Sequence, residues 1–530
     1  MTHIMELSTF LPQLSSPIAR HLLSLLVLWF LVHVLYTTFL YSRFFTPLKQ
    51  IPTPPSRSFL KGSHPYDPKT RMIPLRDWNR TIPNNGLIRF YLPGYQERLL
   101  VTSPRALSEI LVTNEAHFTK PDFVKIRLQY VTGSGLLLAD GEEHRMQRKS
   151  LMPAFSYRHI KNLYPAFWSK AREMAQGIEK ELKANKLSNN DVIEVRSWAS
   201  RATMDIIGLT GMDHDFNSLQ DPNNSLSRQY RSMRPNPTRL ETLLALTLGL
   251  FSSNVVGILS KMPVSQMRTI TAASNYVRNV CRSIIQEKQA KMKQGSTSTD
   301  VDIISVALQS GTFTDENLVD QMMTFLAAGH GTTSDALQWA VYSLCKNTEI
   351  QKRLREEVRD KLPSVIGNDT ISADELDNMP YLHAFCNEVL RYYPSVPSTA
   401  RQAVQDTIVA GHRIPKGTVL TLASGMTNWD SELWGSDADR FDPERWMREG
   451  CSNTGGVQNN YGFLTFLHGP RSCIGATFAR AELACLVAAL VGRFEMVLED
   501  PNRELELNRR GISTAPADGV RVKLEVVEGW

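Results

Sequence analysis

Phe466-Leu467-His468-Gly469-Pro470-Arg471-Ser472-Cys473-Ile474-Gly475 is the stretch on which the reading of this chain turns. It presents one cysteine, Cys473, in a loop of glycines, proline and arginine, a setting suited to a metal ligand. A thiolate donates strongly to iron, and trans to dioxygen it favours O–O cleavage. Gly469 and Gly475 would let the backbone turn tightly and approach a flat macrocycle. Phe466 would cover the sulfur, and the planar fork of Arg471 suits a propionate. The plainer alternative is a surface loop before a helix, with Cys473 an ordinary half-buried thiol; five patterned positions weigh against it.

The 530 residues, 42% hydrophobic and 21% charged, suit one large domain or two to three ordinary ones. A net charge of +6 points to anionic partners or a membrane surface. It is too mild for nucleic acid, and no basic patch interleaved with aromatics supports that class. The cysteines Cys281, Cys345, Cys386, Cys451, Cys473 and Cys485 form no Cys-x-x-Cys pair. That argues against zinc and a disulfide scaffold, and fits a reducing compartment.

Leu22 to Tyr41 is apolar over the length a helix needs to cross hydrocarbon. Residues 1–21 then read as a lumenal segment, 22–41 as an uncleaved anchor, 42–60 as a proline-rich linker and 61–530 as the catalytic domain. Basic residues after the anchor place that domain in the cytoplasm. Ile51 to Pro55 reads as stiff and extended. Ile88 to Leu92 and Arg98 to Thr102 form a hairpin around Pro93-Gly94, and Thr407 to Leu422 a second one broken at Pro415-Lys416-Gly417. Leu240 to Leu259 is nearly as apolar as the anchor; it reads as a pair of helices dipping into the membrane surface rather than a second span. Lys293 to Asp300 reads as an exposed connection.

Thr314-Asp315-Glu316 caps a helix that runs without proline to about Asn347. It is apolar nearly all round, hence buried. Two glycines inside it, in Ala328-Gly329-His330-Gly331-Thr332-Thr333, each cost about 1 kcal/mol relative to alanine. They would let the helix bulge and a flat cofactor or oxygen approach, with the Thr332 hydroxyl at the groove; a packing notch is the alternative. Met379-Pro380 opens a further helix, on which Glu388 and Arg391 share one face. Glu143 to Lys149 lies on a basic helix.

Together these motifs resemble the cytochrome P450 family: Phe-x-x-Gly-x-Arg-x-Cys-x-Gly looks like its haem-binding loop, and the segment at Thr332 like its oxygen-binding motif. Glu388, Arg391 and the Phe441–Trp446 segment look like Glu-x-x-Arg and its partner, with Arg445 joining a buried structural network. The resemblance runs from the anchor to the C-terminus. It implies a mainly α fold with small β-sheets and a long central helix over haem b, with Cys473 as the axial iron ligand. It further implies propionate contacts from His144, Arg148 and Arg401, with histidine standing where the family has tryptophan. Gly329, Gly331 and Thr332 would form the catalytic groove. Phe123, Phe325, Ala328, Val396 and Thr399 would line an apolar substrate pocket. Gly331 departs from the family, whose acid at that position is associated with proton delivery.

The resemblance thus implies a microsomal monooxygenase of the endoplasmic reticulum membrane, like fungal members. Its partners would be NADPH–cytochrome P450 reductase, with cytochrome b5 as a further donor, and an apolar secondary metabolite such as a terpenoid or polyketide. Arg145 and Lys149 would dock the acidic electron donor. The missing acid keeps a reductase-independent isomerase, dehydratase or peroxide-using enzyme as the alternative.

Overall fold

Alternating and helical hydrophobic patterns sort the chain into a helical body with sheets at its edges. The computed structural model describes residues 35–530 apart from 57, 60, 64–72, 187–190, 234–264, 295–301, 504 and 508–512, with isolated positions between 17 and 32. The apolar stretch 240–259 and most of the 293–300 connection therefore lie outside the described residues.

β1 (Leu87–Leu92) and β2 (Gln96–Val101) pair antiparallel around Gly94, whose φ of 75° suits glycine. Next come β3 (Phe118–Thr119), α1 (Asp122–Thr132), α2 (Gly141–Leu151) and α3 (Tyr164–Lys186). β4 (Val192–Glu194), α4 (Val195–Met212), α5 (Asp315–Lys346) and α6 (Pro380–Tyr392) follow. Towards the C-terminus lie β5 (Thr399–Ala403), β6 (Thr407–Val409), β7 (His412–Ile414), β8 (Val419–Leu422), α7 (Ala476–Arg493), β9 (Phe494–Leu498) and β10 (Arg521–Val526). A five-stranded sheet has the order β1-β2-β8-β5-β3, and β4-β10-β9 form a second.

The second hairpin differs from the sequence expectation. Its turn is at Ala410-Gly411, joining β6 to β7, while β8 leaves it to pair with β2 and β5. Ala410 and Gly411 both sit at positive φ, a turn geometry that the Pro415-Lys416-Gly417 signal obscured. The proline-rich segment is laid against the domain: Arg89 donates its backbone N–H to Pro52, and Leu48 and Ile51 are buried with the sheet.

α5 is the 32-residue helix expected from Thr314, which closes a capping box with Asn317. It packs along α4 and α7 through the middle of the main core. It runs unbroken through Gly329 and Gly331, so the expected bulge is not there. A Cβ at Gly329 would meet Ile207 of α4 at 3.0 Å, so close helix packing accounts for that glycine. A Cβ at Gly331 would meet nothing within 4 Å.

No helix among the described residues is long and apolar enough to cross a membrane. Leu22, Leu25, Leu28, Trp29, Val32 and Leu35 are all exposed.

α7 is buried almost throughout, and Glu482 within it is wholly inaccessible. Neither of its carboxyl oxygens has a well-formed hydrogen bond among the described residues, although the Thr333 hydroxyl faces it. Burial pushes the carboxyl well above its usual 4.5. The native state then holds a proton that the unfolded chain releases, so stability is full below about pH 4.5 and falls as pH rises towards the native value. Glu482→Gln, neutral at every pH, should flatten that decline in denaturation midpoints measured across pH; parallel curves for the two proteins would remove the assignment.

Candidate active site

Glu388 and Arg391 stand one turn apart on α6 and are both fully buried. The carboxylate accepts from Arg391 Nε and Nη2 at 2.8 Å each, from the Asp442 N–H at 2.8 Å, from Trp446 Nε1 at 3.0 Å and from Arg445 Nε at 3.3 Å. Arg391 also donates to the carbonyls of Asn428, Ala438 and Arg440. Buried charge is tolerated on such terms, with almost every donor and acceptor engaged. Asn428, wholly buried, carries the network forward: it donates to Thr465 Oγ1 and accepts from the Leu464 N–H, just before Phe466.

The Cys473 loop is closed by a 2.8 Å bond from the Cys473 N–H to the Phe466 carbonyl. Gly469 has φ 76°, and a Cβ there would lie 2.1 Å from the Leu111 carbonyl. Packing of protein on protein therefore requires glycine at that position. Cys473 has exposed surface yet sits deep enough that burial pushes its thiol up, offset by the Gly475 N–H and the guanidinium charges of Arg148 and Arg480. A coordinated metal would deprotonate it outright. Cys281, Cys386 and Cys485 are buried, with thiols also pushed up by burial.

α5 has a matching opening. Ala328 is the one exposed residue between Leu318 and Leu344, with Gly331 and Thr332 half-buried beside it. Thr332 Oγ1 donates to the Ala328 carbonyl at 2.8 Å, while Ser395 Oγ donates to the Thr332 carbonyl at 2.8 Å. Val396 and Thr399 are half-buried on the segment after α6. Phe325 is buried against Phe155, with ring centres 5.5 Å apart, and Phe123 is 43% exposed with Arg98 over its ring.

Cations collect at one edge. Arg401 is buried, its Nη2 has no hydrogen-bond partner among the described residues, and desolvation followed by the neighbouring Arg471 lowers it to about 10. Lys120, which sequence reasoning missed, is lowered to about 7 by burial and then by Arg401 and Arg471. A single lysine in a loop carried no pattern that could have flagged it. His144 is lowered to about 4, first by burial and then by Arg471, Arg148 and Lys120, so it is neutral at pH 7 and keeps one N–H to donate. Arg148 donates to the Ser472 carbonyl at 2.8 Å and to its hydroxyl at 3.2 Å. Arg471 is held by Glu115 and by Asp140 Oδ1 at 2.8 Å, two acids the sequence had not marked.

A buried guanidinium nitrogen without an acceptor, a cationic edge, an open cysteine and an open helix face are what a dianionic, flat, iron-bearing group requires. The donor set fits haem b, and Cys473, Arg401, Lys120 and His144 are the candidates to hold it. The site defines a haem-thiolate oxidoreductase. The sequence model for cytochrome P450 matches residues 84–521. The cytochrome P450 monooxygenase sphH of Aspergillus fumigatus is 50% identical over 94% of this chain and 92% of its own length. The cytochrome P450 monooxygenase FSL4 of Gibberella zeae is 41% identical over 95% of this chain and 93% of its own. The chain belongs to the cytochrome P450 family and is a monooxygenase whose cofactor is haem b.

Glu388→Ala leaves two buried arginines uncompensated. It should cost about 3–5 kcal/mol in denaturant unfolding and release haem during purification. A loss below about 1 kcal/mol, the range of a surface ion pair, would show that the network carries no such strain.

Proposed function

We propose that this monooxygenase is held in the endoplasmic reticulum membrane by residues 22–41, with its catalytic domain in the cytoplasm. It takes electrons from NADPH–cytochrome P450 reductase, with cytochrome b5 as a second donor, and hydroxylates or epoxidises an apolar secondary metabolite of terpenoid or polyketide type. The observation that carries the reading is the pair of exposed positions, Ala328 in the otherwise buried α5 and Cys473 in the half-buried loop before α7. The fungal relatives and the apolar character of Ala328 and Val396 support the substrate class. Arg145 and Lys149, exposed on α2, supply basic charge for an acidic electron donor, although Glu142 pairs with Arg145 at 2.6 Å.

Haem b, when bound, supplies the iron at which dioxygen is activated. Cys473 would contribute the donor thiolate, in a loop closed by its N–H to the Phe466 carbonyl and fixed by the bonds of Arg148 to Ser472. Arg401, Lys120 and His144 would hold the propionate edge, beside Arg471, which Glu115 and Asp140 engage. Gly329 lets α5 approach α4, while Gly331 leaves open space beside the Thr332 hydroxyl. That space has room for water where the family carries an acid. Thr332 Oγ1 holds a proton directed at the Ala328 carbonyl and can turn it towards the groove. Ser395 fixes the Thr332 backbone while the side chain turns.

Thr332→Ala should lower product formed per NADPH oxidised and raise hydrogen peroxide release, measured in purified protein with reductase and a metabolite selected by its Soret shift. An unchanged ratio would exclude Thr332 from proton delivery. Turnover with peroxide alone, and none with NADPH and reductase, would favour the reductase-independent reading.

A further inference from the structure

Arg480 lies on the second turn of α7, seven residues after Cys473. Its guanidinium lies 4.7 Å from the ring centre of Phe466 and 5.7 Å from that of Phe463. Phe466 is the residue whose carbonyl receives the Cys473 N–H. Among the described residues Arg480 makes neither a hydrogen bond nor an ion pair, unlike Arg148, which is bonded to Ser472, and Arg471, which is bonded to two acids. It is nonetheless half-buried, and Cys473 is the one group acting on it that favours its charge. A desolvated guanidinium without a counter-ion is costly unless a nearby negative charge compensates it. Two aromatic faces offset part of that cost. Among the described residues, the Cys473 sulfur is the group that would supply the opposite charge once a bound metal makes it a thiolate.

We propose that Arg480 tunes the redox centre from the thiolate side: held against Phe466 and Phe463 with no carboxylate to neutralise it, its charge draws density from the Cys473 sulfur and raises the reduction potential of the bound iron. The inference rests on the haem-thiolate reading above. Positive charge near the ligand favours the reduced iron, which carries one electron more, and a low local dielectric keeps that effect strong. Arg480 would act through the sulfur, as groups around metal ligands commonly do.

The test is the ferric/ferrous midpoint potential of the purified holoprotein, titrated with reductant and redox dyes and without reductase, so that docking plays no part. Arg480→Met keeps the stem and removes the charge; its potential should be more negative than that of the wild type. Arg480→Lys should stay nearer the wild type than the methionine variant does. Both variants are compared only where the reduced carbonyl complex keeps its red-shifted Soret band; if Arg480→Met loses it, Arg480→Gln replaces it with the same expectation. Equal potentials in charged and neutral proteins that all show the band would overturn this inference alone. A wild type without the band would overturn the thiolate reading and this inference with it.

Discussion

The Glu388 carboxylate, shared by Arg391, Arg445, the Trp446 indole and the Asp442 N–H, is the constraint from which the site is built. Charges removed from water must find partners within the protein, and this group finds five donors in a fully buried setting. Because the donors come from both α6 and the 442–446 turn, α6 and that turn cannot shift independently. Asn428 bonds the carbonyl of Arg391 and the backbone of Leu464, so the fixed geometry reaches the start of the cysteine loop. The Cys473 N–H to Phe466 carbonyl bond then closes the loop, and α7 begins three residues later.

A second constraint works by incompleteness. Arg401, Arg471, Lys120 and Arg148 crowd one edge, and burial first, then the neighbouring cations, lowers the proton affinity of Lys120 and Arg401. Asp140 and Glu115 relieve Arg471 but leave Arg401 Nη2 without an acceptor among the described residues. Such an edge is stabilised by whatever anion completes it, so cofactor binding and folding stability are coupled. The neutral His144 fits the same arrangement: another full charge would add repulsion, whereas an N–H donor adds a bond.

Much of this was legible in the residues. Thr314, Asp315 and Glu316 announced α5 because capping is local chemistry, and the Pro93-Gly94 turn announced β1 and β2 for the same reason. Glu388 and Arg391 could be read as a pair from helical spacing alone. What stayed hidden depended on distant contacts. Gly329 answers to Ile207 on α4, Gly469 to the Leu111 carbonyl, and Arg471 to Glu115, some 350 residues earlier in sequence. Lys120 gains its character from burial first and then from the arginines the fold brings beside it. The 407–422 region misled because two adjacent turn signals competed, and pairing of β8 with the larger sheet decided between them.

The most direct test of the account is the absorption spectrum of the reduced carbonyl complex, recorded for the purified full-length protein beside Cys473→Ala and Cys485→Ala. A red-shifted Soret band in the wild type and in Cys485→Ala, lost in Cys473→Ala, is the predicted result. The same band persisting in Cys473→Ala would contradict it, since no other described cysteine stands in the loop that the Glu388 network holds in place.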